Sequence, residues 1–461
     1  MRRMAGLTAL SLCVIALFVG AVRRRAINPR GPVPPALDAR RSFAITDQAI
    51  LDGFPFRRVM AALVERSGTQ TAPDRLIEQL LDTQNARPGL VAANTPHCDD
   101  FLVDGSPGFN GLPRRCPTPE AAFAAMNPFA SDEYIPLAIL NRFDQTPADG
   151  SNCGQYRLIF AKLSPNPLDR LHLIFEGVLP NPDPDAGIAA CRPVAQFWAD
   201  LTAENSVSER RARLEEFFFT GIEGFEPLID PDHFSLAGRG GIRTLQNTAA
   251  SRLTTRFYQF RLAKRCDGGR CDLVAEPDVL ENMPFGRFFD ATYDTPAARG
   301  FREAFIHNVA PLAIPDVNLY SMSIPREFLM GESDPLDGEL AFIYTIPFTR
   351  SESTAAGDAF EARIQAELKR VGSTLTPADV ITRAETQSCV GCHFLFGSVG
   401  DSISFPRALG TFEHVSEKLV ENGEAGPRFA ISPAMQNVFI PHRMEILRRF
   451  LTNGAAPVHS N

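Results

Sequence analysis

Apolar and polar residues alternate along several short stretches of the chain. An apolar residue at every second position is typical of a strand with one buried face. The alternation is clearest where Leu171, Leu173 and Phe175 share one face. His172 and Glu176 share the opposite face, which we expect to meet solvent or a partner layer. Strand-like runs occupy residues 156–163, 171–179, 253–264, 272–275 and 340–348.

Other stretches have apolar residues three and four positions apart, which predicts helices. This spacing occurs over residues 56–81 and 192–219, and it returns where Phe360, Ile364 and Leu368 follow one another at intervals of four. Strands and helices do not alternate regularly along the chain. The pattern therefore predicts the α+β class, with a large mixed region followed by a small all-α domain.

The helices near the end of the chain have recognisable starting signals. Thr376 and Asp379 are spaced as in a capping box, and Pro377 occupies the first helical position. We expect this helix to run as far as residue 388. A last helix is predicted over 441–451, where apolar residues recur three and four positions apart.

The composition narrows the class of protein. The 461 residues contain 46 Lys and Arg against 54 Asp and Glu, a net charge of −8, and 44% of them are hydrophobic. These values exclude a disordered chain, a collagen-like fibre and a polytopic membrane protein. The acidic balance argues against nucleic-acid binding, which needs a basic surface to neutralise phosphates. We therefore predict no nucleic-acid partner.

The first residues form an export signal. Arg2 and Arg3 precede a predominantly apolar run of 18 residues over 5–22, and residues 23–25 are all arginine. A basic start followed by an apolar run is typical of a secretory signal peptide. The alternative is an uncleaved anchor that associates with the membrane, because the apolar run is at the lower limit for a span. Both interpretations place the remaining chain in the periplasm or cell envelope.

These patterns predict four segments. Residues 1–25 are the signal peptide or anchor, and residues 26–45 are a linker rich in Arg, Pro and Ala. Residues 46–350 form the large α+β region, for which the sequence indicates no catalytic residue and no substrate. Residues 355–455 read as helix, helix, long loop and helix, which is enough chain for a complete small domain.

The cysteines are consistent with export. There are nine, of which Cys13 lies in the leader and Cys389 and Cys392 belong to one motif. Six remain, and an even number in an exported chain indicates disulfides. Six cysteines allow 15 pairings. The simplest hypothesis joins sequence neighbours, as 98–116, 153–191 and 266–271. The last pair is the best supported, because a Gly-Gly turn lies between two strand-like runs.

The motif that carries chemistry is Cys389-Val390-Gly391-Cys392-His393. Two thiols one helical turn apart can add to the two vinyl groups of one haem. The adjacent imidazole then ligates the iron. The alternatives are a disulfide or a redox-active dithiol at Cys389 and Cys392, and a zinc site. A zinc site lacks the second pair of ligands that it needs.

The end of the chain resembles a c-type cytochrome domain of class I, over about a fifth of its length. A helix leads into the motif, an irregular stretch follows it, a Pro-x-Met segment contains Met435, and a helix ends the domain. The resemblance implies one covalent haem c held by Cys389 and Cys392, with His393 as the proximal iron ligand and Met435 as the distal one. It departs from the family in its aromatic residues, because Phe450 alone is an obvious aromatic of the last helix.

Two histidines are alternatives to Met435 as the distal ligand, and a distal position without a protein ligand is a third alternative, which suggests ligand binding or peroxide chemistry. His414 lies in the loop after the motif, and His442 lies at the start of the last helix. The choice matters because a methionine ligand raises the reduction potential relative to histidine.

The sequence supports two functions. In the first, the chain transfers electrons through its haem to an unidentified redox partner protein, as the electron-transfer part of an oxidoreductase. The larger region resembles one in exported bacterial proteins that end in a haem motif. In the second, the chain is a colourless envelope module for binding or structure. Disulfides would stabilise that module, and its C-x-x-C would be a disulfide or a redox dithiol.

Overall fold

A computed structural model describes residues 36–81, 97–116, 134–162, 171–235, 240–247, 255–333, 343–389, 391–392 and 414–454. All of these residues belong to one compact unit that extends from Pro34 to Asn461. The fold is α+β, as predicted. The leader, the linker up to residue 35 and His393 lie outside the described residues.

The strands form one large antiparallel sheet and two small ones. Their bounds are β1 Ala44–Ile45, β2 Leu102–Val103, β3 Ser106–Phe109, β4 Leu112–Pro113, β5 Tyr134–Arg142, β6 Asn152–Lys162, β7 Leu171–Pro180, β8 Gly241–Asn247, β9 Thr255–Asp267, β10 Arg270–Asp278, β11 Val420–Gly423 and β12 Gly426–Phe429. The large sheet has the order β1-β5-β6-β7-β8-β9-β10. The runs predicted at 156–163, 171–179 and 253–264 correspond to the interior strands β6, β7 and β9, and the run at 272–275 corresponds to the edge strand β10.

The helices pack on both sides of the large sheet. Their bounds are α1 Ala39–Ser42, α2 Gln48–Leu51, α3 Phe56–Ser67, α4 Pro73–Leu80, α5 Arg192–Ala203, α6 Val207–Glu215, α7 Pro296–Ile306, α8 Val309–Leu312, α9 Thr345–Arg350, α10 Ala355–Arg370, α11 Pro377–Glu385 and α12 Ile440–Asn453. The helices predicted over 56–81, 192–219, 377–388 and 441–451 are confirmed, although α11 ends at Glu385.

The two faces of β7 meet different surroundings. Leu173 and Phe175 are fully buried in a large apolar cluster with residues of α3, α4 and α5. Burial of side chains of this size stabilises a fold by roughly 1.5–3 kcal/mol each. His172 and Glu176, on the other face, are also buried. The polar face of the predicted strand therefore meets a partner layer and not solvent.

A second apolar cluster contains residues of α7 to α11, together with Leu245 of β8 and Phe257 of β9. Residues of α12 belong instead to the first cluster, and the Arg192 guanidinium at the start of α5 donates to the carbonyl oxygen of Leu451, 2.8 Å away. Helices of the predicted 355–455 domain thus pack against elements of the larger region, in both clusters.

One predicted element is wrong in the part that the structure describes. The apolar run at 340–348 predicts a strand; residues 340–342 lie outside the described residues, and Thr345–Arg350 is the helix α9. A short apolar run does not distinguish a strand from a buried helix. Pro347 supplies the reason, because a proline has no N–H to donate to a neighbouring strand, whereas the first turn of a helix does not need that donor.

The three disulfides join the predicted neighbours. They are Cys98–Cys116, Cys153–Cys191 and Cys266–Cys271. The last closes the β9–β10 hairpin, in which Cys271 lies opposite Cys266. Across the described ranges, no helix is both long enough and apolar enough to cross a membrane.

We expect the three disulfides to stabilise the protein unequally. The Cys153–Cys191 bond closes a separation of 38 residues and Cys266–Cys271 one of 5. Chain entropy then predicts a loss of about 4 kcal/mol for the double variant Cys153→Ala/Cys191→Ala and about 2 kcal/mol for Cys266→Ala/Cys271→Ala. Urea unfolding of both variants measures this. Equal losses would contradict the entropic account.

Candidate functional site

The C-x-x-C motif follows directly after the helix α11, which positions it inside the fold. Its capping box is formed as predicted, because the Asp379 amide donates to the Thr376 hydroxyl at 3.2 Å and the Thr376 amide donates to the Asp379 carboxylate at 2.8 Å. After Glu385 the chain turns and continues helically, and the Cys392 amide donates to the Ser388 carbonyl at 2.9 Å. The two motif thiols therefore lie on one helical turn.

The turn at the motif requires glycine at position 391. A Cβ there would overlap the carbonyl oxygen of Glu385 and would lie 2.8 Å from its carbonyl carbon. The Gly391 amide also donates to the Ser388 hydroxyl at 2.9 Å. This contact with backbone atoms explains why a residue without a side chain occupies the position before the second cysteine.

The two thiols lie between the two apolar clusters. Cys389 packs against the second cluster and Cys392 against the first, and both are half-buried and unbonded to each other. Burial raises the pKa of both thiols, that of Cys392 to about 12. A redox-active dithiol needs a lowered thiol pKa. The surroundings therefore do not favour the dithiol interpretation.

Both thiols line a cavity of about 640 Å³. That volume is in the range of sites for small molecules and cofactors. Its walls come from the end of β5, from one side of β6 to β9, from the loop that follows β10, from residues 317–329 and from the C-terminal part of the chain. Polar side chains on these walls include Arg157, Glu176, Glu281, Arg326, His414 and His442.

The structure separates the three predicted distal ligands. His414 and His442 line the cavity with Cys389 and Cys392. Met435 is fully buried in the first apolar cluster and is not among the described residues that line the cavity. Met435 begins a π-helical turn, Met435–Phe439, which continues directly into α12. The segment is therefore not the extended loop that the resemblance to an axial-ligand segment implies.

The start of α12 places three side chains on the cavity wall. Phe439, His442 and Arg443 are separated by three and four residues, so they share one helix face. The Nε2 atom of His442 is buried, and no described residue forms a hydrogen bond with it. Burial lowers the pKa of His442, which favours the neutral imidazole that can ligate a metal.

His414 begins a segment that two other contacts hold in place. The Ser416 amide donates to the Ala430 carbonyl at 2.8 Å, and the Glu417 carboxylate lies 3.6 Å from Nε2 of His172 on β7. The polar face of β7 thus positions the segment that carries His414.

The aromatic partner of the last helix also differs from the family pattern. Phe450 of α12 packs against Phe143, with ring centroids 4.9 Å apart. Phe143 follows β5, so the aromatic contact joins α12 to the large sheet and not to the helix that leads into the motif.

Within the described ranges, no group of three or more His, Cys, Asp or Glu is placed to hold a metal ion by itself. No protein-family model matches the chain, and comparisons with curated proteins and with solved structures also give no match. The chemistry of the site therefore has to be argued from the residues of this chain.

Glu385 at the end of α11 gives the fold a testable pH dependence. Burial raises the pKa of its carboxyl from 4.5 to about 7, although the Thr345 amide and hydroxyl both donate to it at 2.7 Å. A raised folded-state pKa stabilises the fold below pH 4.5, and this contribution is lost as the pH rises through 7. The loss is on the order of 3 kcal/mol.

We expect Glu385→Gln to flatten the dependence of unfolding free energy on pH between about 5 and 8. Denaturant unfolding over that range measures it. Glu367→Gln is the matched control, because Glu367 is a surface residue paired with Arg370 and its pKa is lowered. An unchanged pH dependence in Glu385→Gln would show that the carboxyl is ionised throughout.

Proposed function

We propose that this chain is an exported haem c protein that transfers electrons to a redox partner protein. One haem would be bound covalently by Cys389 and Cys392, with His393 as its proximal ligand. One observation carries the proposal: both motif thiols open into a cavity of about 640 Å³ whose wall also holds two imidazoles. A haem iron supplies reversible one-electron transfer at a potential that its ligands and surroundings tune.

The residues around the cavity would bind and shield such a group. Cys389 packs against the second apolar cluster and Cys392 against the first. The two thioether bonds to the haem would therefore be fixed in place by different parts of the core. Apolar side chains such as Ile324, Leu329 and Phe439 lie on the same wall as charged ones. Apolar contacts and nearby charges around a haem are two means by which a protein tunes the potential of the iron.

We propose His442 as the distal ligand in place of Met435. The support is its position on the cavity wall, together with a buried Nε2 atom that lacks a hydrogen-bond partner in the described part of the chain. Ligation would satisfy that buried polar atom. His414 is the second candidate, because it lines the same cavity.

The proposed location is the periplasm or cell envelope. Three disulfides are compatible with an oxidising compartment, where c-type haem proteins also mature. A colourless envelope module remains the alternative function. It would contain the same disulfides and the same cavity without covalent haem.

The first test is a pyridine haemochrome spectrum of the full chain, matured in a host that attaches c-type haem. We expect a c-type spectrum that survives acidified-acetone extraction. The variant Cys389→Ala/Cys392→Ala should lose its haem on extraction, because no thioether remains. The control Cys266→Ala/Cys271→Ala removes two cysteines far from the motif in sequence and should keep its haem. Wild-type protein without haem after competent maturation would refute the proposed function.

The second test concerns the distal ligand. We expect His442→Ala to convert the haem from a low-spin to a high-spin absorption and paramagnetic resonance spectrum, because the iron loses a strong-field ligand. Met435→Leu conserves volume in the apolar cluster and should leave both spectra unchanged. His414→Ala is measured beside them. A spin change in Met435→Leu, with none in His442→Ala, would restore Met435 as the ligand.

A further inference from the structure

Two clusters of charged side chains line the cavity, and each has two arginines on one carboxylate. In the first cluster, Arg142 forms a bidentate pair with Asp144 at 2.9–3.0 Å, and Nε of Arg443 lies 3.8 Å from the same carboxylate. In the second, Nε of Arg157 and Nε of Arg243 lie 3.1 and 3.0 Å from the two oxygens of Glu176.

The second cluster is built by the register of the sheet. Arg157 on β6 lies opposite Glu176 on β7, and Arg243 on β8 lies opposite Ile174, one step along the same face. The side chains of Arg157, Glu176 and Arg243 therefore project from neighbouring strands to one side. The first cluster joins the end of β5 to α12.

Each cluster has one positive charge more than it has negative charges. Five guanidinium groups and three carboxylates line the described part of the cavity, and Arg326 is ion-paired with the buried Asp278 beside it. Glu281, on the same wall, acts on Arg243. With Asp278 counted, the described groups carry one positive charge more than they carry negative charges.

Asp144 and Glu176 are 4% and 1% exposed, and Arg443 is 6% exposed. A buried charge without compensation costs several kcal/mol. The two clusters are thus the positive parts of the wall, and each has two guanidinium groups that a carboxylate of a ligand could approach.

Arg443 shows most directly where such a ligand would bind. Its Nη1 atom is buried, has no hydrogen-bond partner among the described residues, and belongs to a side chain on the cavity wall. Burial and the nearby charge of Arg142 together lower the pKa of Arg443 to about 9. A carboxylate at this position would accept a hydrogen bond from the unpaired Nη1–H group of Arg443. Its negative charge would also raise the pKa of Arg443 again.

We propose that the cavity holds two carboxylates of one ligand, one at the Arg142–Asp144–Arg443 cluster and one at the Arg157–Glu176–Arg243 cluster. Where the carboxylates are the two propionates of a haem, this inference rests on the proposed function. A diffusible dicarboxylate has the same chemistry, and the experiment separates the two sources.

The test uses the full chain with Cys389→Ala/Cys392→Ala, which leaves the cavity without covalent haem. This protein is titrated with haemin, which has two carboxylates, and with haemin dimethyl ester, which has none. The variants Arg443→Gln and Arg157→Gln are compared in the same background. Each variant removes one of the two arginines of a cluster and leaves the other paired with the carboxylate, so the remaining pair is neutral. We therefore expect both variants to fold, which thermal unfolding checks.

We expect each variant to weaken haemin binding roughly 10- to 150-fold, the loss of one or more charge-assisted hydrogen bonds. Binding of the dimethyl ester should not change. The control Arg302→Gln removes a buried arginine that bonds to the carbonyl oxygens of Phe288 and Asp290 and does not line the cavity. It should bind haemin as the parent does. Unchanged haemin binding in either cluster variant overturns the proposal.

A second titration identifies the source of the carboxylates. Succinate is added to the haem-loaded wild type and to the Cys389→Ala/Cys392→Ala chain without haem. If the propionates occupy the clusters, succinate binds only the Cys389→Ala/Cys392→Ala chain. If it also binds the haem-loaded protein, and Arg443→Gln weakens that binding, a diffusible dicarboxylate is the ligand. Failure of the proposed function is distinct from both results, because it is the absence of covalent haem in the matured wild type.

Discussion

A buried carboxylate at the centre of the large sheet constrains much of this structure. Glu176 is almost wholly inaccessible, and a lone ionised carboxylate in that position would destabilise the fold. Arg157 and Arg243 on the neighbouring strands compensate for it and introduce a cation of their own. The polar face of β7 is therefore not a solvated surface. It is an interior wall, and the C-terminal part of the chain packs over it.

Parts of the fold could be predicted because local signals were sufficient. The alternation of Leu171, Leu173 and Phe175 fixes which face of β7 is apolar, and the Gly-Gly turn sets the register that joins Cys266 to Cys271. The capping box at Thr376 locates the start of α11 within a residue. In each of these cases the interacting residues are close in sequence, so a short window contains the physical cause.

The cavity could not be predicted in the same way. Its arginines are at positions 142, 157, 243, 326 and 443, with no spacing that relates them. The sheet topology brings the first three together, and the packing of later segments over the sheet adds Arg326 and Arg443. The same limit applies to Met435. A Pro-x-Met segment resembled a ligand loop, but a π-helical turn places that side chain in the apolar cluster and places His442 on the wall. One sequence signal did point toward the cavity. His172 and Glu176 share one face of β7, but the sequence did not decide whether that face contacts solvent or another layer of the protein.

The position of Cys389 and Cys392 between two apolar clusters has a consequence for biogenesis. Each thiol is half-buried, and each packs against a different set of helices. An enzyme that joins a bulky prosthetic group to both thiols needs them accessible together, before α11 and α12 close over the sheet. Attachment would then precede the last packing steps. The C-terminal helices would pack against the attached prosthetic group as well as against the sheet. Under the proposed function, folding of the C-terminal helices would then depend on covalent attachment of the haem.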